Sequence, residues 1–194
     1  VRTINADGST GDSLSTIYGT HKGEVPPGTY RILATLDSAH ATADVTVTDT
    51  AVATPELVLN AGVATIRLFQ QEGVPIDENG SWELQQAGQS VAYEYKSTTR
   101  VVPAGDYDLR AAYGAAEVTM PFSIKAGEEK VQDVILGTGH ATIDAIYAEG
   151  VAVEDANQFI EILSAKADIA GNRSSVTNAY AATKGFVDTA LSNA

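Results

Sequence analysis

Nucleophilic catalysis needs a serine or cysteine activated by a histidine base, which an acid in turn orients. The sequence offers three histidines and no cysteine. His21, His40 and His140 are far apart, and no G-x-S-x-G elbow accompanies them. His40 falls on the polar side of an alternating stretch and His140 enters another, so surface positions are expected. Zinc would call for histidines at close spacing, and no two stand so. Paired carboxylates occur at Asp77-Glu78, Glu128-Glu129 and Glu154-Asp155. Glycosidase acids face each other across a cleft, which neighbours within one turn seldom do, so solvated loops are expected. Gly137-Thr138-Gly139 is a bare G-x-G followed by a strand pattern instead of a phosphate-holding helix, and reads as a linker. The chain is expected not to be an enzyme and to carry no cofactor.

Two binding chemistries remain open. Asn5, Asp7 and Asp12 gather oxygen donors around Gly8 and Gly11, a hard-ligand set of the kind calcium takes. The spacing lacks the carboxylate at the twelfth position of an EF-hand loop, and a plain polar turn accounts for the same residues. Asp77, Glu78 and Asn79 form a second set of this kind. Trp82, Tyr93 and Tyr95 would together make a stacking platform for sugar. Trp82 and Leu84 share one parity, however, and a lone tryptophan in a sandwich usually packs the core.

Charge narrows the partners. Twelve basic against 25 acidic residues leave a net charge of −13. Nucleic acid and anionic membrane surfaces would repel such a chain. No apolar run approaches the ~20 residues of a membrane helix, so membrane insertion is not expected. Without cysteine there is no disulfide framework or thiolate site. The chain opens at Val1 with no signal-type stretch, which reads as a processed chain or a fragment.

The elements that would position these residues are legible from one recurring stretch. Val102-Pro103-Ala104-Gly105-Asp106-Tyr107 leads into Leu109, Ala111 and Tyr113; Val25-Pro26-Pro27-Gly28-Thr29-Tyr30 leads into Ile32, Ala34 and Leu36, 102 − 25 = 77 positions earlier. Proline presets φ for a turn, and Gly28 and Gly105 are expected at the positive φ of a type II turn. Pro26, Gly28, Tyr30, Pro103, Gly105 and Tyr107 are therefore the structural residues. Each tyrosine begins a run of period-two alternation, the mark of a half-buried strand, and is placed to make a tyrosine corner.

Shifting by 77 aligns residues 25–76 with 102–153 without a gap, at 15 identities in 52 positions. Apolar parity never slips across them, although a one-residue shift would turn every core side chain to solvent. Alternation predicts strands at 29–36, 39–48, 62–69, 81–86, 91–96, 106–113, 116–125 and 129–136, with shorter ones at 13–18 and 56–59. Phe159, Ile162, Leu163, Lys166 and Ile169 lie at helical spacing, but the repeat places a strand and a Gly171-Asn172 turn there. The alanine-rich residues 179–191 leave room for a helical turn. The predicted fold is all-β: tandem antiparallel β-sandwich modules over 1–59, 60–136 and 137–194, with only the central one complete. Either the chain is a window on a longer array, or neighbouring chains complete its open edges by strand pairing.

The stretches VPAGDYDLRA, IKAGEEKVQDVIL, GHATIDAIYAEG and GSWELQ resemble repeats of bacterial exported proteins that often follow a von Willebrand factor A domain. More broadly they resemble immunoglobulin-like, prealbumin-like modules related to carboxypeptidase regulatory domains. That resemblance implies non-enzymatic surface or periplasmic modules that space, present or bind. The D-x-S-x-S metal motif of the A domain is missing, and Asp12-Ser13-Leu14-Ser15 only grazes it. The expected role is structural or adhesive: an extracellular, cell-surface or periplasmic segment whose partners are protein, glycan or copies of itself. The alternative is a glycan- or protein-binding module using loops at 71–80 and 148–157.

Overall fold

The structure, a computed structural model, describes residues 1–19, 23–144, 146–152, 158–181 and 186–192. Among them every regular element is a strand, arranged in several antiparallel sheets. Two compact units are formed. One comprises Val1–Thr65, Thr99–Asp106 and Ser123–Lys130; the other comprises Ile66–Thr98, Tyr107–Phe122 and Val131–Ala194.

The first unit contains β1 (Arg2–Ile4), β2 (Thr10–Ser13), β3 (Gly28–Leu36) and β4 (Ala39–Val47), in the sheet order β2-β1-β3-β4. The β3–β4 hairpin keeps an unbroken register from Gly28↔Val47 to Leu36↔Ala39. Its two-residue turn has Asp37 at φ 49°, the left-handed value wanted at the first central position of a II′ hairpin turn. The same turn is tied to Val101: the Asp37 carboxylate accepts the Val101 N–H at 2.8 Å, while Ser38 N–H donates to the Val101 carbonyl. Tyr30 is buried, and its hydroxyl donates to the Pro26 carbonyl at 2.6 Å, tying the strand start to the turn before it.

Then come β5 (Ala61–Gln71), β6 (Val74–Pro75), β7 (Gly80–Gln86), β8 (Gln89–Tyr95), β9 (Thr98–Pro103), β10 (Gly105–Tyr113), β11 (Ala116–Ile124) and β12 (Glu129–Ile135). One sheet runs β11-β10-β7-β8; another runs β12-β5-β6, with β9 also paired to β5. The β5 stripe Ala64, Ile66 and Leu68 is fully buried, as are Trp82, Leu84, Leu109 and Val134. β7 touches the other sheet directly, for a Cβ on Gly80 would lie 2.8 Å from Ile76 Cγ2 and 3.0 Å from Leu68 Cδ1. Two antiparallel sheets thus bury their inner stripes against each other, as in a β-sandwich.

The remaining strands are β13 (Thr138–Asp144), β14 (Ile146–Ala148), β15 (Val151–Ala152), β16 (Gln158–Ala167), β17 (Arg173–Ala181) and β18 (Phe186–Ser192). They pair as β13-β18, β14-β15 and β16-β17. Asp168 closes the β16–β17 turn by accepting the Asn172 N–H at 2.8 Å.

Several sequence expectations need correcting. Gly28 and Gly105 do not have positive φ; each is the first residue of its strand, so the turn is not type II. What Gly28 accommodates is the Tyr30 ring, whose hydroxyl would lie 3.3 Å from an added Cβ. Residues 13–18 and 56–59 are not strands beyond Ser13, whereas β9 is a strand that the alternation did not predict, with no period-two pattern in Thr98–Pro103 to mark it. Residues 179–181 and 186–192 are strand, not helical turn, because β13 and β16 offer them edges to pair with. Thr138 and Gly139 open β13 and are not a linker.

Candidate functional site

Among the described residues, the outward face of the β11-β10-β7-β8 sheet brings together a set of exposed polar and aromatic side chains. Period two sends Ser81, Glu83 and Gln85 out of β7, opposite Tyr95, Tyr93 and Ser90 of β8, while Trp82 and Leu84 point inward. Trp82 is 1% exposed and its indole N–H donates to the Lys96 carbonyl at 3.1 Å. Tyr93 and Tyr95 are 50% and 66% exposed, edge-to-face with centroids 5.3 Å apart. The predicted three-ring platform is therefore divided: two rings face solvent and the third fills the core.

Beside the two rings runs a row of polar, mutually bonded side chains. Glu117 meets Arg110 at 2.5 Å, and Arg110 lies across the ladder from Glu83. Hydrogen bonds from Ser90 and Gln85, with Arg110 nearby, hold the Glu83 carboxyl below its ordinary range. Arg110 likewise lowers Glu117. Hydrogen bonds from Ser81 and Tyr95 lower the Tyr93 phenol, and Tyr95, the donor to it, is raised. Two aromatic rings beside a fixed carboxylate and hydroxyl can stack on and hydrogen-bond a polar ligand. They do not form a nucleophile–base pair.

The other sequence candidates are scattered. Asn5 and Asp7 meet through Ser9: Asn5 Nδ2 donates to Ser9 Oγ at 2.9 Å, and the Ser9 hydroxyl and amide both donate to Asp7 Oδ1. Those two bonds lower the Asp7 carboxyl. Asp12 stands apart in β2, exposed. Among the described residues no three His, Asp or Glu side chains converge on a metal position. His40 is exposed on β4; His21 lies outside the described residues, as does the His140 side chain. Asp77 and Glu78 are exposed, and Glu154-Asp155 lie outside the described residues with 153–157 of the second loop. Glu128 is structural, since its carboxylate accepts the Lys125 N–H at 2.7 Å and its carbonyl the Val63 N–H. Among the described residues no helix is long and apolar enough to cross a membrane.

Sequence reasoning named Tyr93 and Tyr95 but missed the row Glu117, Arg110, Glu83 that flanks them. Parity within each strand was visible; the order β11-β10-β7-β8 that aligns the strands was not.

No family model matches the sequence, and no curated protein matches it. Among solved structures it is similar to a streptococcal ancillary pilin, at 12% identity and a TM-score of 0.28, over 87% of this chain and 64% of that one. This chain therefore spans less than two thirds of that protein's length, and an overlap this loose says nothing about activity.

Proposed function

We propose that the chain is a non-enzymatic structural or adhesive segment of an exported bacterial protein, built from tandem β-sandwich modules and able to associate through unpaired edges. One observation supports the reading: two hairpins match each other at the spacing of the sequence alignment. β3 and β4 have the same lengths and the same two-residue turn as β10 and β11, displaced by 77 positions at every boundary. Left-handed residues recur at the same displacement: Asp37 and Gly114, Asn60 and Gly137, Gly73 and Gly150, Gly19 and Lys96. Repetition of a layered unit spends the chain on spacing and surface, not on one concave pocket. Acidic residues outnumber basic ones two to one, which keeps such a surface soluble outside the cell.

The exposed Tyr93–Tyr95 pair supports the second reading, a module that binds glycan or protein through its β7–β8 face. Glycan-array binding by the purified chain, with Tyr93→Ala alongside, separates the two. The structural reading expects no glycan signal that depends on Tyr93. Glycan binding lost in that variant would replace it with the second reading.

A further inference from the structure

We infer that the apolar face of the β3–β4 hairpin accepts the β13–β18 sheet of a second copy of this chain, so that copies join head to tail. The inference rests on the tandem-module reading and names the segments that would associate.

Ile32, Ala34, Val45 and Val47 are only half-buried. The residues 77 positions later, Leu109, Ala111, Phe122 and Ile124, are buried to 2% exposure or less. Leu57 and Leu59 are half-buried, against Val134 at 0% and Leu136 at 5%. What distinguishes the second set is β5. Its glycine lets the strand backbone approach β11: a Cβ on Gly62 would sit 2.7 Å from Ile124 Cγ1. Its Ala64, Ile66 and Leu68 then fill the core.

The chain carries that strand twice. Gly62-Val63-Ala64-Thr65-Ile66 recurs as Gly139-His140-Ala141-Thr142-Ile143, within β13. β5 pairs with β12, β6 and β9, whereas among the described residues β18 is the one strand that β13 pairs with. The face lacking a β5 and the strand equivalent to β5 thus occur in one chain. The surface that accepts differs from the surface that donates, so the contact is heterologous and need not close. Copies carrying −13 each repel at long range, so added salt should strengthen the association.

Sedimentation of the purified chain tests this. The wild type should give a series of species growing with protein concentration and with salt. Val45→Lys should disable the acceptor and Ile143→Lys the donor, each weakening self-association by at least about tenfold. Mixed in equal amounts, the two variants should form a one-to-one dimer and nothing larger, because one intact contact remains between them. A peptide of the chain's own residues 62–70 should dissolve the wild-type series. A control peptide with its apolar residues moved by one position should not, and this arm needs no variant to fold. A monomer at every concentration, or a closed dimer indifferent to both variants and to the peptide, overturns the inference. Neither result touches the match between the β3–β4 and β10–β11 hairpins that supports the tandem reading.

Discussion

Tyr30, Ile32, Ala34, Val45 and Val47 occupy the register positions of β3–β4 that Tyr107, Leu109, Ala111, Phe122 and Ile124 occupy in β10–β11. Both hairpins alternate without a slip, and both turn on a left-handed residue. They differ in what lies against them. The β10–β11 stripe shares a core with Ile66, Leu68, Trp82 and Val134, and the Tyr107 and Phe122 rings stand 6.5 Å apart. In the β3–β4 stripe Tyr30 is buried, but Ile32, Ala34, Val45 and Val47 remain half open. Local alternation and turn chemistry are enough to specify a hairpin; burial has to come from a second layer.

Paired substitutions sharpen this contrast. Leu109→Ala should cost about 2–5 kcal/mol, because it opens a cavity in a closed core. Ile32→Ala should cost well under half as much, since a half-buried side chain has less apolar area to return to water. Equal losses in denaturant titrations would break the comparison. Next in size is Gly62→Val, where two backbone carbonyls, Lys125 and Glu128, stand 2.7 and 2.8 Å from the new Cβ; about 1–3 kcal/mol of overpacking is expected. A melting curve unchanged by it would deny the close approach of β5 to β11.

Tyr30→Phe should remove ~1 kcal/mol by leaving the Pro26 carbonyl without its donor. The smallest effect is that of pH. Arg31 holds the Asp44 carboxyl below its ordinary value, and Asn172 does so for Asp168. A depressed folded-state value means stability present above the ordinary carboxylate range and lost as pH falls through the folded-state values. Melting temperature should decline on acidification, less steeply in high salt, since these groups are exposed and screened. A rise on acidification would contradict that sign.

Much of the strand pattern was legible in the sequence because period-two alternation directly reports a half-buried sheet. β10, with Tyr107, Leu109 and Ala111 inward and Asp106, Asp108 and Arg110 outward, needed nothing else. β16 was resolved from helical spacing by its sequence alignment, 77 positions on, with Trp82-Glu83-Leu84. Thr98–Pro103 was missed because no period-two pattern marks it. The positive φ expected at Gly105 stands instead at Gly114, a hairpin turn. The candidate face was half legible: strand parity separates Tyr93 and Tyr95 from Trp82. Placing Arg110 between Glu117 and Glu83 depends on which strands pair, and those contacts are remote in sequence.

The most direct measurement is amide hydrogen exchange of the full chain at low and high protein concentration, read separately over residues 28–47 and 105–124. Protection of 105–124 should be strong and unaffected by concentration, because its covering layer is part of the same chain. Protection of 28–47 should be weaker when dilute and rise as the chain is concentrated. Equal protection of the two hairpins, unchanged throughout the range, would contradict the account.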